Sequence, residues 1–108
     1  MSELADRICA PCKAGTPPLK GAELEEFARQ LGGGWSVVDG HHLERELKFP
    51  DFKEALAFTN RVGELAEGMN HHPDIFLAWG RVKLTLWTHS INGLAEGDFV
   101  FAARVNRL

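Results

Sequence analysis

Residues 51–87 read DFKEALAFTNRVGELAEGMNHHPDIFLAWGRVKLTLW, and the spacing of apolar residues changes once along them. Up to Ala66 it is helical: Phe52, Ala55, Leu56, Thr59, Val62 and Ala66 fall on one face at a period near 3.6. Asp51 followed by Glu54 has the spacing of a capping box, and Gly68 is expected to close the element. Beyond His71-His72-Pro73 the period drops to two. Ile75, Leu77 and Trp79 alternate with polar or smaller residues, and Gly80-Arg81 supplies a turn. Val82, Leu84 and Leu86 then alternate with Lys83, Thr85 and Trp87. The stretch is one helix followed by one hairpin. Trp79 shares parity with Ile75 and Leu77, which predicts a core or sheet role. Trp87 shares parity with Lys83 and Thr85, which predicts a half-exposed wall of a cleft or subunit interface.

The same unit occurs upstream. Between Ala22 and Leu31 the apolar residues Leu24, Phe27, Ala28 and Leu31 mark one helical face, and Gly32-Gly33-Gly34 ends it. Trp35–Val38 and Leu43–Phe49 flank Asp39-Gly40, a dipeptide suited to the positive φ angles of a tight hairpin. Leu43, Leu47 and Phe49 take one face of the second strand, and Glu44, Glu46 and Lys48 the other. His41 and His42 fall at this turn and read as an exposed hairpin tip. Downstream, Phe101, Val105 and Leu108 fit a last helix from about Ala95 to Asn106. The predicted fold is α+β in the order α-β-β-α-β-β-α. Four antiparallel strands form the sheet, three helices pack on one face, and the other face is left for ligand or subunit contacts. Residues 1–20, ending near Gly15-Thr16-Pro17-Pro18, read as an extended arm before one domain over 21–108.

Composition narrows the functional classes. The chain has 108 residues, a net charge of −3 and no basic block, so binding to nucleic-acid phosphates is not expected. The longest apolar run, Ile75 to Trp79, is far short of the ~20 residues of a membrane span. Glu3, Asp6 and Arg7 lie where a secretory signal would be apolar, so a cytoplasmic protein is expected. Cys9 and Cys12 have neither a second cysteine pair nor a preceding strand, and read as reduced, non-catalytic thiols.

The chemistry concentrates in three histidines at element ends, His71, His72 and His89. Imidazole exchanges protons near neutral pH, and a rigid scaffold can aim such side chains into a cleft. Pro73 biases His72 toward an extended backbone, and Glu67, four residues before His71, is placed to orient an imidazole. Three readings stay open on spacing alone: an acid–base site, a helix end with imidazole on its dipole, or a zinc site. Adjacency of His71 and His72 weighs against zinc, because it lacks the i, i+4 spacing of helical metal pairs.

The span Glu67, three residues, His71-His72-Pro73, five residues, Trp79, nine residues, His89, eight residues, Asp98 is similar to the signature of the pterin-4a-carbinolamine dehydratases. The resemblance covers essentially the whole chain, including Gly93-Leu94 after the last histidine. The chain departs from many members at Ser90 (often acidic), Ala95 (often Thr or Ser), Gly97 (often basic) and Ile75 (often aromatic). The departure at Ala95 is expected to weaken the start of the last helix.

The resemblance implies a hydro-lyase that dehydrates 4a-hydroxytetrahydropterin to quinonoid dihydropterin, in tetrahydropterin recycling, with neither cofactor nor metal. It implies that His71 and His89 donate protons to the leaving hydroxyl and that His72 orients substrate or acts as base. Glu67 is expected to support His71, and Asp98 to orient an imidazole or cap the last helix. Pro73, Thr88 and Trp79 are expected in supporting or substrate-binding positions. Its implied partners are the pterin, further copies in a homodimer or homotetramer, and an aromatic amino acid hydroxylase. The alternatives it carries are a non-catalytic coactivator or hydroxylase-regulating module, and a pterin-linked role in molybdenum-cofactor metabolism.

Overall fold

Two hairpins of alternating residues and three amphipathic helices assemble in the expected order. The computed structural model describes residues 17–108, so Cys9, Cys12 and most of the expected arm lie outside the described residues. The elements are α1 (Gly21–Leu31), β1 (Ser36–Val38), β2 (His42–Lys48), α2 (Phe52–Met69), β3 (Asp74–Ala78), β4 (Arg81–Leu86) and α3 (Glu96–Val105). A single 3-10 turn at His89–Ile91 joins β4 to α3. The strands run β1-β2-β4-β3, every neighbouring pair antiparallel, so β4 pairs with both β2 and β3 and β3 forms an edge. Asp39 (φ 55°) and Gly40 (φ 64°) both take positive φ in the first hairpin, the turn expected of that dipeptide. Among the described residues no helix is long and apolar enough to cross a membrane.

Leu43, Val82, Leu84 and Leu86 are fully buried on the inner sheet face. They pack in one cluster with Ala55, Phe58, Val62 and Ala66 of α2 and with Phe99, Phe101 and Ala102 of α3. Ring contacts tie the layers together: Phe49 to Phe58 at 5.3 Å and Phe27 to Phe99 at 5.4 Å between centroids. Arg45 has the same inward parity, and its guanidinium leaves the apolar layer by donating to Asn106 Oδ1 at 2.5 Å. The opposite face is charged. Arg81 pairs with Glu46 at 3.4 Å and Lys83 with Glu44 at 3.5 Å, and Arg81 lies over the Phe76 ring.

Four local expectations need correction. The buried stripe of α2 is centred on Ala55, Phe58, Val62 and Ala66, because Phe58 supplies the large side chain that fills the core. Phe52 and Leu56 stay 42% and 39% exposed. Gly68 does not end α2. The helix runs to Met69, and Asn70 takes the left-handed conformation at φ 52°. Its N–H reaches the Glu67 carbonyl and the His71 N–H reaches the Ala66 carbonyl, the paired bonds of a Schellman ending. Trp79, expected in the core, is 68% exposed, because it sits in the β3–β4 turn and not on β3; Arg81 opens β4 opposite Ala78. His41 and His42 are half-buried and not an exposed tip, since both rings lie against Trp87. Asp51 caps α2 as expected, accepting from the Glu54 N–H at 2.9 Å.

Candidate active site

The register of the second hairpin brings the candidate residues to one end of the sheet. Asp74 pairs with Thr85, so the residues before Asp74 and those after Leu86 leave the sheet side by side. Continuing that register sets His72 opposite Trp87 and His71 opposite Thr88. The left-handed Asn70 turns the chain sharply off α2, and this directs the His71 side chain back toward α3.

Asp98 is where these segments meet. It lies on the first turn of α3 and is the buried charged residue among the described ones, with no solvent exposure. Its Oδ1 faces His71 Nε2 at 2.6 Å. Its Oδ2 accepts from the Thr88 hydroxyl at 2.7 Å and from the Ala95 backbone N–H at 2.9 Å. All three partners present donors, the pattern that suits an acceptor-only carboxylate. Burial without such partners would cost several kcal/mol, so the three bonds are what make the position tenable. Asp98 therefore does both things expected of it, capping α3 and orienting an imidazole. Ala95 brings no side-chain acceptor of its own, and Asp98 holds the helix start from inside. The His71 ring also rests on Phe101, 5.8 Å between centroids.

A carboxylate only accepts, so His71 donates through Nε2 to Asp98, and Nδ1 is the ring nitrogen outside that bond. Glu67 does not support His71. Its carboxylate bonds Nε2 of His72. The four-residue spacing would join Glu67 to His71 only if both were helical, and the reversal at Asn70 carries His71 away and brings His72 over. Glu67 and His72 are both exposed, so this pair faces solvent, while Asp98 is fully buried and His71 half-buried.

His89 begins the 3-10 turn directly after Thr88. Its ring is exposed and lies against the Trp87 indole at 4.3 Å between centroids. Thr88 and Gly93 close that turn with an isolated bridge, Thr88 N–H to Gly93 carbonyl at 2.8 Å. The structure thus joins His71, Thr88 and Asp98 by direct bonds, sets His72 with Glu67 next in sequence, and places His89 one residue beyond Thr88. Pro73 leads into β3. Trp79 stands apart at the other end of β3, on the order of 15–20 Å along an extended strand. Among the described residues no three His, Cys, Asp or Glu side chains are grouped to hold a metal ion.

Sequence reasoning missed His41, His42 and Asn92. The β2–β4 register pairs Leu43 with Leu86, which sets His42 beside Trp87, and nothing local to residues 41–42 signals that pairing.

Residues 17–108 match the family described as pterin 4 alpha carbinolamine dehydratase, which covers the sheet, the helices and every histidine above. The chain belongs to that family. A relative from Rubrobacter xylanophilus, provisionally named a pterin-4-alpha-carbinolamine dehydratase, is 65% identical over 108 residues, all of both chains. One of the same provisional name from Alkaliphilus metalliredigens is 55% identical over 107 residues, 99% of this chain and 96% of the relative. Among solved structures, a transcriptional coactivator/pterin dehydratase from Brucella melitensis superposes with a TM-score of 0.77 at 41% identity, covering 83% of this chain and 96% of that one. A pterin dehydratase-like protein identified as a RuBisCO assembly factor in the alpha-carboxysome gives a TM-score of 0.60 at 25% identity, over 69% of this chain and 88% of that one.

Proposed function

We propose that this carbinolamine dehydratase family member eliminates water from 4a-hydroxytetrahydropterin by histidine general acid–base catalysis and so serves tetrahydropterin recycling. The observation that carries the reading is the enclosed Asp98 carboxylate, which fixes the His71 ring through Nε2 and ties it to the segment bearing His89. The reaction breaks the C4a–O bond with one proton added to the departing hydroxyl, releasing water. One proton leaves a ring nitrogen, whose electron pair closes the new C=N bond. His71, as imidazolium, gives its Nδ1 proton to the hydroxyl while Asp98 stabilises the charged ring. His89, one residue beyond Thr88, shares that donation. His72, held by Glu67 and open to solvent, orients the pterin or takes the ring-nitrogen proton and passes it to water. A general acid of this kind contributes about 10²–10⁴-fold.

The test is formation of quinonoid dihydropterin from chemically prepared 4a-hydroxytetrahydropterin, followed spectroscopically with and without the protein. Acceleration over the spontaneous reaction supports the reading, and an unchanged rate rejects it. The steps above need only proton transfer, so chelator-treated protein shown metal-free by elemental analysis is expected to retain full turnover. Loss of activity restored by zinc would overturn that expectation.

Self-association belongs to the same proposal. The open sheet face is laced with ion pairs, but Phe52 and Leu56 stand exposed on the outer side of α2 and Phe76 and Trp79 on β3 and its turn. A small domain gains stability by covering such residues. Light scattering at micromolar concentration is expected to give at least twice the 12.0 kDa chain mass, and a monomeric mass would refute it. A second reading, a regulatory module acting on a partner such as an aromatic amino acid hydroxylase, is favoured by the two solved relatives, one described as a transcriptional coactivator/pterin dehydratase and the other as a RuBisCO assembly factor. Failure of the dehydration assay would turn attention to it.

A further inference from the structure

Around His89 stands a second set of aromatic and titratable side chains that the proton transfers above leave unused. His41 Nδ1 and His42 Nδ1 face each other at 3.1 Å. His42 Nε2 faces Glu44 Oε2 at 3.0 Å, and His41 Nε2 faces Asn92 Oδ1 at 2.9 Å. A carboxylate and an amide oxygen only accept, so His42 donates through Nε2 to Glu44 and His41 donates through Nε2 to Asn92. The hydrogen bond from His42, with Lys83 nearby, holds the Glu44 carboxyl below the usual carboxylate range, which keeps it an acceptor at neutral pH. Both imidazoles also lie against Trp87, with centroid distances of 5.4 Å for His41 and 6.1 Å for His42. They meet edge to face with each other.

This assembly grips the turn that carries His89 at both of its ends. On the near side Trp87 is the surface against which the His89 ring lies, and His41 and His42 back that indole. On the far side Asn92 ends the 3-10 turn in the left-handed conformation, φ 51°, and its N–H bonds the His89 carbonyl at 3.2 Å. His41 holds the Asn92 side chain. An exposed imidazole on a three-residue turn has rotamer freedom to lose, and a reacting group works best when neighbours lock it in place. We infer that His41 and His42, acting through Trp87 and Asn92, are positioning residues that aim His89. The inference rests on the acid–base reading of His89 proposed above and adds residues to it.

Two substitutions test it. His41→Ala removes the bond to Asn92 and one of the two imidazoles against Trp87, and Asn92→Gly removes the first alone while keeping the left-handed backbone accessible. Both variants are expected to melt within a few degrees of the parent, since neither residue is fully buried. Each is expected to lower kcat, with His41→Ala down about 10–100-fold and KM little changed. In a His89→Ala background neither should lower kcat further. Parent-like kcat in both variants, or the same loss repeated in the His89→Ala background, overturns the inference. Nuclear magnetic resonance gives a readout independent of turnover. With the Trp87 indole 4.3 Å away, the His89 ring protons of the parent are expected to be displaced from solvent-exposed values, and to move toward those values in both variants. Unmoved resonances reject the positioning role even in active protein. If the parent itself does not dehydrate the pterin, the functional reading falls, while the resonances still decide whether His41 and Asn92 aim His89.

Discussion

Asp98→Asn is expected to leave the fold cooperative and to cut dehydratase turnover by up to about 10⁴-fold, the loss seen when the triad carboxylate that fixes an imidazole tautomer becomes an amide. The geometry gives the reason. Oδ2 takes two donors, the Thr88 hydroxyl and the Ala95 N–H, while Oδ1 takes one, His71 Nε2. An asparagine keeps the most bonds by putting its oxygen where Oδ2 stands, which aims its NH₂ group at His71. Two donors then face each other unless the ring moves its proton from Nε2 to Nδ1. Nδ1 would still face the substrate, but its proton would belong to a neutral ring, a much weaker acid than the imidazolium, because the negative partner that stabilises the charged form is gone. Stability should fall by about 1–3 kcal/mol, the cost of an imperfectly satisfied buried polar group. Thermal unfolding, circular dichroism and steady-state kinetics on one preparation separate the two effects. Parent-like turnover in Asp98→Asn would mean that the His71 tautomer takes no part in the reaction. Asp98→Ala should be the less stable variant, because it strands Thr88 and the Ala95 N–H and removes the acceptor at the start of α3.

What the sequence revealed and what it withheld follow from how far each signal reaches along the chain. The two hairpins and three helices were legible because period two and period 3.6 are local, and Asp39-Gly40 identifies a tight turn by itself. The His-His-Pro and Asp98 positions were legible as a spaced pattern. Pairings beyond about four residues were not. Glu67 was expected beside His71 by helical spacing, and one left-handed residue, Asn70, transferred it to His72. Strand order could not be read either, since nothing local says that β4 rather than β3 lies against β2. That single fact brings His41 and His42 to Trp87, so a hairpin tip that reads as solvated becomes half-buried. Trp79 failed in the opposite direction. Its parity was right for a strand one residue longer than β3, and the turn took it into solvent.

His89→Ala is expected to lower turnover by about 10²–10⁴-fold while leaving secondary structure unchanged. The ring is exposed, it opens a short turn, and its ring contact is with Trp87, so removing it should alter stability by no more than ~0.5 kcal/mol. That separates it from His71, which rests on Phe101 and holds the buried Asp98, so that His71→Ala should cost both activity and stability. The informative measurement is the double variant. If His71 and His89 both deliver a proton to one departing hydroxyl, removing the first already takes most of what the second contributes. The combined loss should then fall well short of the product of the single losses, because groups that act as a unit are not additive. Thr88 and Asp98 link the two segments physically, which makes such coupling the expected result. A double variant at the full product would assign the two histidines to separate steps, one on the hydroxyl and one on the ring nitrogen. Turnover unchanged in His89→Ala would remove it from the chemistry, and loss of folding would make its role structural.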